Sequence, residues 1–336
     1  MAALQVRYVD WSEGDWSPEW LDWVKVRLAE VGAEFAAARC RTREDLERNA
    51  GAADVVVLGG SSGILAPANL SAIPRCFAIV KMGSGVNDLD IPAATERGIV
   101  VVNTPQGVTE EVSDHAIAMI LASARRLAEQ DRLVRGGTWD RRAAWPGRHF
   151  RGMTLGLVGL GRIPRAMVRK LSGFEMQAIA HDPYVSAEAA AALGVRLTEL
   201  DGLLSSADVV SIHCPLTAET RHLIGERELR LMRPEALLVN TARGPIVDEA
   251  ALYRALAEHW IAGAALDVLE QEPPDPANRL FTLPNVLVTP HLASGGDLFP
   301  GELWKAIYES IAGLANHRWP ESALNRREVR PRWELR

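Results

Sequence analysis

Short runs of apolar residues alternate with alanine-rich or amphipathic stretches along almost the whole chain. Stretches with helical periodicity lie between the apolar runs, chiefly at 109–130, 162–173, 247–258 and 302–317. Buried strands that alternate with helices are typical of parallel sheets built from βαβ units. The strands are too many for one small sheet, so the pattern predicts an α/β protein with two Rossmann-like, doubly wound parallel-sheet domains. The predicted strands are LQVRYVD, DVVVLGG, FAIVKMG, GIVVVN, TLGLVGLG, QAIAHD, DVVSIHC, ALLVNTA, AGAALDV and NVLVTP.

A long helical stretch marks the predicted boundary between the two domains. It opens at Thr109, whose hydroxyl suits a helix N-cap, and acidic residues follow in the first turn. The pattern continues to about residue 130, and an arm then leads into a glycine motif. We therefore predict a second domain over 109–296 and a discontinuous first domain over 1–108 and 297–336.

Composition and charge narrow the class of protein. The 336 residues are 48% hydrophobic and 24% charged, and a net charge of −6 without a basic block argues against nucleic acid as a partner. The N-terminal decapeptide lacks the pattern of a secretory signal, and no apolar run reaches the ~18 residues of a membrane span. Cys40, Cys76 and Cys214 are scattered without a metal-binding spacing, so we expect no metal site and a cytoplasmic location.

Four tryptophans cluster in the N-terminal segment DWSEGDWSPEWLDW. Trp16, Trp20 and Trp23 follow the i, i+4, i+7 spacing of one helix face, which predicts a packed face. The alternative is a loop after the first strand that reaches a ligand, since ligands gather at strand carboxyl ends, and Trp11 is its best candidate.

The stretch LGLVGLGRIPRAMVRK, residues 155–170, is similar to the opening of a dinucleotide-binding unit. Gly159 permits a tight turn after a strand, and Gly161 lets the backbone approach a pyrophosphate at the N-terminus of the next helix. Asp182 ends the next predicted strand 21 residues after Gly161, close to the spacing of the acid that binds the adenosine ribose. This spacing disfavours a plain strand-turn-helix and predicts NAD as the cofactor.

Pro164 occupies the place of the third glycine in the usual G-x-G-x-x-G pattern. It falls in the first helical turn, where backbone N–H groups have no intrahelical partner. Proline therefore loses no helix hydrogen bond there, and its fixed φ suits a helix start. We expect a slightly displaced helix and retained cofactor binding.

Three polar residues stand at or shortly after the ends of three later predicted strands: Arg243, Glu272 and His291. Parallel strands of one sheet end at the same edge, so we expect the three side chains to converge beside the cofactor. Arginine holds a carboxylate through two hydrogen bonds, and histidine beside a carboxylate exchanges a proton near neutral pH. Each residue alone has a structural explanation, as a loop ion pair, a surface acid or a buried imidazole. The combination indicates an enzyme.

With these residues in place, the chain resembles the D-2-hydroxyacid dehydrogenase family, which includes phosphoglycerate dehydrogenase, formate dehydrogenase and the C-terminal-binding corepressors. The resemblance covers nearly the whole chain, and CPLTAETRHLI and EEVSDHA look most like the corepressor-type branch. The matching motifs are GLGRI, HDPY, HCPLTAETRHLI, LLVNTARGPIVDEAAL, AGAALDVLEQEPP, NVLVTPHLA and, in the first domain, GSGVNDLDIPAATERGIVVVNTP.

The resemblance implies a role for each matched residue. Arg243 would bind the substrate carboxylate and carbonyl, His291 would be the acid/base, and Glu272 would pair with His291. The first domain would be flavodoxin-like and bind substrate through backbone N–H groups of the loop Met82–Gly85, and the second would bind NAD. Substrate contacts would come from Lys81, Gly83, Ser84, Gly85 and Arg243. Cofactor contacts would come from Gly159, Gly161, Arg162, Ile163, Asp182, Cys214, Pro215, Thr220, Thr241, Ala242 and Asp267.

The chain departs from the family's pattern in three places. Pro164 replaces the third glycine, and Asn87-Asp88 inverts the usual Asp-Asn order of a loop. The segment LASGGDLFP lacks the large aromatic residue that corepressor-like members often carry shortly after the histidine that matches His291, which suggests a pocket of different shape. Lys81 suggests a second anionic group on the substrate; the alternative is a solvated lysine on a loop. The resemblance also implies a homodimer joined through the helix at 109–130 and its arm.

The sequence thus predicts a cytoplasmic NAD-dependent oxidoreductase that interconverts a D-2-hydroxy acid and its 2-oxo acid, with no nucleic-acid or membrane partner. The rival hypothesis is a corepressor-like protein that senses NAD(H) with little turnover. Against it, the chain has no long disordered tail or extra module.

Overall fold

The computed structural model describes residues 3–10, 18–60, 63–142, 147–297 and 299–336. The chain divides into two compact units, one made of Met1–Val108 with Gly296–Arg336 and the other of Thr109–Gly295. The prediction of a first domain built from both ends of the chain is confirmed.

The first unit opens with a parallel five-stranded sheet. Its strand order, β2-β1-β3-β4-β5, is the flavodoxin-like order. Apolar side chains cover both faces of this sheet, as a parallel sheet requires. The strands are β1 Leu4–Asp10, β2 Ala33–Arg39, β3 Val55–Leu58, β4 Ala78–Lys81 and β5 Val100–Asn103, and the helices are α1 Pro18–Glu30, α2 Arg43–Ala50 and α3 Ile91–Glu96.

The second unit is built on a parallel seven-stranded sheet. Its order, β12-β11-β10-β9-β6-β7-β8, is the doubly wound dinucleotide-binding order with one added strand. Its strands are β6 Thr154–Val158, β7 Gln177–His181, β8 Val195–Leu197, β9 Val209–Ile212, β10 Leu237–Asn240, β11 Gly263–Leu266 and β12 Val286–Val288. Its helices are α4 Thr109–Ala124, α5 Leu127–Arg135, α6 Arg162–Leu171, α7 Ala187–Ala191, α8 Leu200–Ser206, α9 Glu226–Leu231 and α10 Glu249–Ala257.

The single helix predicted over 109–130 is wrong, because the structure breaks it into α4 and α5. Arg126 stands at the break with a φ of 54°, a left-handed conformation that ends a helix. The Arg148 N–H donates to the carbonyl of Ala124 at 2.9 Å and so satisfies a carbonyl that the broken helix leaves open. The Arg126 side chain then pairs with Glu129 inside α5.

The last helix, α11 Phe299–Ala315, returns to the first unit and packs against α1. Trp304 is fully buried there, with edge contacts to the rings of Tyr8 and Phe35 at 5.5 and 6.1 Å. Trp23 of α1 contacts Tyr308 of α11, with ring centroids 6.2 Å apart.

The prediction of a packed tryptophan face therefore holds for Trp20 and Trp23, which pack against this core. Trp11 and Trp16 lie outside the described residues, so the loop hypothesis for Trp11 stays a prediction. Among the described residues, no helix has the length and apolar character needed to cross a membrane.

Candidate active site

Three neighbouring strands of the second unit place the predicted catalytic residues. β10, β11 and β12 are adjacent and parallel, so their carboxyl ends meet at one edge of the sheet. Arg243 follows β10, the segment after β11 carries Glu272, and His291 follows β12. The sheet order therefore brings the three residues together, as the positions of the polar residues at strand ends predict.

His291 and Glu272 form a direct pair. His291 Nδ1 lies 2.6 Å from Glu272 Oε2, and the two side chains are 43% and 35% exposed. The Leu269 N–H donates to the other carboxyl oxygen, Oε1, at 3.0 Å. Glu272 is thus fixed at both oxygens, and its remaining freedom to turn away from the histidine is small.

The charge state of Glu272 follows from these contacts. Burial alone would raise the pKa of Glu272, but hydrogen bonds from His291 and the Leu269 N–H, with the nearby charge of Arg243, lower this pKa below its ordinary value. The carboxylate is therefore ionised near neutral pH and accepts from its partners.

An ionised carboxylate only accepts hydrogen bonds, so the His291 Nδ1 atom that faces Glu272 must carry a proton. The other ring nitrogen, Nε2, is then the atom that can give up or take a proton. This is the arrangement expected of an acid/base histidine whose orientation a carboxylate fixes.

Arg243 is held by its own loop. Buried Asn240 accepts from the Ala242 N–H at 3.0 Å and donates to the Arg243 carbonyl at 2.9 Å, which fixes the backbone at the end of β10. A Cβ at Gly244 would overlap the carbonyl of Leu269. Glycine therefore lets the Arg243 loop approach the same segment whose N–H group holds Glu272.

The Asp267 carboxylate accepts several hydrogen bonds from the loop that carries His291. Its side chain is 1% exposed and accepts from the Thr289 hydroxyl at 2.6 Å and from the N–H groups of Leu292 and Ala293 at 2.9 Å. A carboxylate has about four acceptor positions, so about one remains beyond these three bonds. The predicted bond from Asp267 to the nicotinamide carboxamide stays a prediction.

The glycine loop fits a dinucleotide. Gly159 has a φ of 96°, and a Cβ there would meet the Cys214 nitrogen at 2.9 Å, so β6 and β9 need this glycine in order to approach. A Cβ at Gly161 would meet nothing within 4 Å, which leaves open space at the N-terminus of α6. Pro164 lies in the first turn of that helix, as predicted, and it is buried.

The predicted ribose-binding acid stands at the end of β7. Asp182 Oδ2 accepts from the Leu160 N–H at 2.8 Å, and Oδ1 accepts from the Tyr184 N–H at 2.9 Å. These bonds fix the orientation of the Asp182 carboxylate beside the glycine loop. The Thr241 hydroxyl is buried without a hydrogen-bond partner among the described residues, so it too has capacity for a bound cofactor.

The remaining predicted cofactor residues lie on two loops of the same unit. Thr220 Oγ1 donates to the Pro215 carbonyl at 2.6 Å, which closes the loop after β9. Burial raises the pKa of the Cys214 thiol to about 11, so Cys214 is a neutral thiol in this loop. Arg162 is exposed, and Arg162 and Ile163 open α6; their cofactor contacts and that of Ala242 stay predictions.

The loop Met82–Gly85 belongs to the first unit, where Thr104 holds it. The Gly83 N–H donates to Thr104 Oγ1 at 2.8 Å, and the Thr104 N–H donates back to the Gly83 carbonyl at 2.9 Å. The Gly83 N–H thus holds the loop against Thr104. The predicted substrate contacts of Gly83, Ser84 and Gly85 stay predictions.

Lys81 is the last residue of β4 and is 2% exposed, so the solvated lysine considered as an alternative is wrong. Its Nζ lies 3.0 Å from Asp88 Oδ2 and also bonds the carbonyl of Gly60. The inverted Asn87-Asp88 order thus supplies the carboxylate that balances the lysine. A substrate contact for Lys81 stays a prediction.

The comparisons with known proteins agree with this geometry. The family model for the NAD-binding domain of D-isomer specific 2-hydroxyacid dehydrogenases matches residues 117–293. The chain is 40% identical over 300 residues to D-3-phosphoglycerate dehydrogenase from Archaeoglobus fulgidus, covering 89% of this chain and 56% of that protein. It is 41% identical over 266 residues to glyoxylate reductase from Korarchaeum cryptofilum, covering 78% of this chain and 80% of that protein.

Among solved structures, D-lactate dehydrogenase from Aquifex aeolicus complexed with NAD and lactic acid has a TM-score of 0.81 at 26% identity, covering 93% of this chain and 95% of that one. The chain spans just over half the length of the phosphoglycerate dehydrogenase that it matches. It belongs to the D-isomer specific 2-hydroxyacid dehydrogenase family. The predictions of family, α/β fold and NAD cofactor are confirmed.

Proposed function

We propose that this protein reduces a small 2-oxo acid, of the size of glyoxylate, to the D-2-hydroxy acid with NADH, and catalyses the reverse oxidation with NAD. The observation that carries the proposal is the His291–Glu272 pair, with Arg243 beyond the end of β10 close enough for its charge to act on Glu272. The relatives named glyoxylate reductase support the size of the substrate.

The chain's own residues have separate tasks in this reaction. Arg243 binds the substrate carboxylate through two parallel hydrogen bonds. Protonated His291 donates from Nε2 to the substrate oxygen, while ionised Glu272 holds Nδ1 and stabilises the imidazolium. NADH, when bound over the glycine loop, supplies the two reducing electrons as a hydride. Oxidation uses the same residues with His291 initially neutral.

A panel of 2-oxo acids with NADH tests the proposal directly. Loss of NADH absorbance with glyoxylate, hydroxypyruvate, pyruvate or a longer 2-oxo acid supports a dehydrogenase and names its preferred substrate. Tight NADH binding without oxidation by any member would favour the rival, a protein that senses NAD(H) with little turnover.

We expect a preference for NADH over NADPH. The Asp182 carboxylate is oriented to accept from ribose hydroxyls and repels a 2′-phosphate. Asp182→Asn keeps an acceptor for one backbone N–H group but loses the charge. The substitution should lower kcat/KM for NADH by about 10-fold or more, since a hydrogen bond to a charged group is worth about 1.5–3 kcal/mol. It should also reduce the ratio of kcat/KM for NADH to kcat/KM for NADPH.

The measurement is kcat/KM for both cofactors in the wild type and in Asp182→Asn. Arg162 offers a positive charge beside the loop, so Arg162→Ala is the matched control. Equal wild-type values for NADH and NADPH would refute the preference. A selective loss of NADPH activity in Arg162→Ala would then assign that activity to Arg162.

We also propose, as the second substrate class, 2-oxo acids with a further carboxylate, phosphate or phosphonate bound by Lys81. Its charge supports this class, and its pairing with Asp88 weighs against it. Removal of Lys81 alone would leave a buried unpaired carboxylate, at a cost of about 3–5 kcal/mol. The double variant Lys81→Met/Asp88→Asn avoids this cost. It should lower kcat/KM for doubly anionic substrates by about 10–150-fold and leave simple 2-oxo acids nearly unchanged.

The thermal midpoint of the double variant, compared with that of the wild type, is the control for the loop around the pair. If both substrate classes lose activity equally in the double variant, or neither does, Lys81 does not bind the substrate.

We propose that the protein is a cytoplasmic homodimer that assembles through the second unit. Leu127, Val134 and Trp139 are 52%, 48% and 86% exposed there, and a groove of about 580 Å³ lies between α5 and the segment around β12. The three cysteines are free thiols, which suits a reducing compartment. A monomer in sedimentation analysis at micromolar concentration would contradict the dimer.

A further inference from the structure

His115, a residue outside the predicted site, reaches the loop that carries His291. It lies on α4, and its Nε2 atom is 3.0 Å from Thr289 Oγ1 and 3.6 Å from Asp267 Oδ1. Thr289 Oγ1 is in turn 2.6 Å from Asp267 Oδ1. The three side chains form a connected series from α4 to the carboxyl ends of β12 and β11.

The donors in this series follow from simple chemistry. Asp267 accepts from three N–H or O–H groups, as an ionised carboxylate does. The Thr289 hydroxyl has a single proton, and its short contact with Asp267 places the proton there. His115 Nε2 must therefore carry a proton and donate to Thr289, whether the imidazole is neutral or charged.

The series ends at the backbone of the acid/base residue. The His291 N–H donates to the Asp267 carbonyl at 2.8 Å, and the next two N–H groups donate to the Asp267 carboxylate. His291 itself has a φ of 52°, a left-handed conformation that residues other than glycine adopt uncommonly. These bonds hold the unfavourable turn, and the turn directs the imidazole at Glu272.

We propose that His115 is a positioning residue for the proton-transfer step. By donating to Thr289 it fixes the Thr289–Asp267 contact, and through that contact it fixes the turn at His291. The inference rests on the proposed role of His291 as the acid/base. It assigns His115 no contact with substrate, so its loss should lower kcat and leave both KM values unchanged.

Two substitutions at the same position separate positioning from packing. His115→Leu fills a similar volume but cannot donate, and it should lower kcat by about 3–10-fold, the range for one hydrogen bond. His115→Gln offers an amide N–H in place of Nε2–H and should recover most of that loss. KM for NADH and for the 2-oxo acid should stay within about twofold in both. Asp114→Asn, on the adjacent exposed position of α4, is the matched control.

Thr289 provides an independent test of the same series. Thr289→Val removes the hydroxyl, and Thr289→Ser retains it. If His115 acts through Thr289, then His115→Leu in a Thr289→Val background should cause little further loss of kcat, because the series is already interrupted. If His115→Leu proves too unstable to purify, Thr289→Val beside Thr289→Ser tests the same series: kcat should fall in the valine variant and be retained in the serine variant.

Several results would overturn the proposal. These are an unchanged kcat in His115→Leu, equal losses in the Leu and Gln variants, or full additivity with Thr289→Val. His291→Asn, measured beside them, tells the two hypotheses apart. If His291→Asn retains turnover, the acid/base assignment fails; if it loses turnover while His115→Leu does not, only the positioning role fails.

Discussion

Replacing His291 with asparagine is expected to lower kcat for 2-oxo acid reduction by about 10²–10⁴, the usual contribution of a positioned proton donor. Asparagine suits this site because it tolerates the left-handed backbone that His291 adopts at a φ of 52°. The loop and the Asp267 contacts should therefore persist. NADH affinity, measured by fluorescence titration, should change by less than about twofold.

His259→Asn is a matched control, because His259 also has a positive φ, 57°, but lies at the end of α10. Glu272→Gln adds a second readout. An amide does not offset the positive charge of the imidazole that donates the proton, and it binds Nδ1 less strongly than a carboxylate does, so kcat for reduction should fall by about 10-fold or more. Near-normal turnover in His291→Asn, or an unchanged kcat in Glu272→Gln, would contradict the acid/base assignment.

Most strands of both sheets could be predicted from the sequence because a parallel sheet is covered on both faces and its central strands are continuous apolar runs. The two strands that were missed, β2 and β8, are both at sheet edges. The sequence of β2, AEFAAAR, buries only Ala33 and Phe35 and is rich in alanine, which favours helices. Only one residue of β8, Val195, is buried. Edge strands carry a weaker apolar signal because solvent reaches them.

The helix break at Arg126 had no local signal, since RRLAEQ is a good helical sequence. The break depends on a distant contact, the N–H of Arg148 on the carbonyl of Ala124, and such contacts are not visible in a local pattern.

Arg243, Glu272 and His291 could be predicted because the carboxyl ends of parallel strands lie at one edge of a sheet. Residues that follow three separate strands therefore come together there. Supporting residues such as Thr104, Asp88 and Thr289 were harder to find. Thr289 and Asp88 are common polar residues in loops, and only the folded chain shows that each one bonds a predicted site residue or its neighbour. The inverted Asn87-Asp88 order is visible in the sequence, but only the folded chain shows that Asp88 bonds Lys81.

Replacing Arg243 with methionine is expected to lower kcat/KM for 2-oxo acids by about 10²–10⁴. Two charge-assisted hydrogen bonds to the substrate carboxylate are lost, each worth about 1.5–3 kcal/mol. Arg243→Lys keeps the charge but cannot form the parallel pair of bonds, so its loss should be intermediate. Asn240 holds the backbone of this loop through main-chain atoms, so neither substitution should alter it.

The sharpest measurement compares pyruvate with methyl pyruvate, which has no carboxylate charge. If Arg243 binds the carboxylate, Arg243→Met should reduce kcat/KM for pyruvate far more than for its ester, and the wild-type preference for the acid should largely disappear. Arg254→Met serves as the control, because Arg254 pairs with Glu226 on the surface of the same unit. A parallel loss for acid and ester would show that Arg243 acts on the reacting carbonyl or on the fold instead, since only a contact with the carboxylate can distinguish the two substrates.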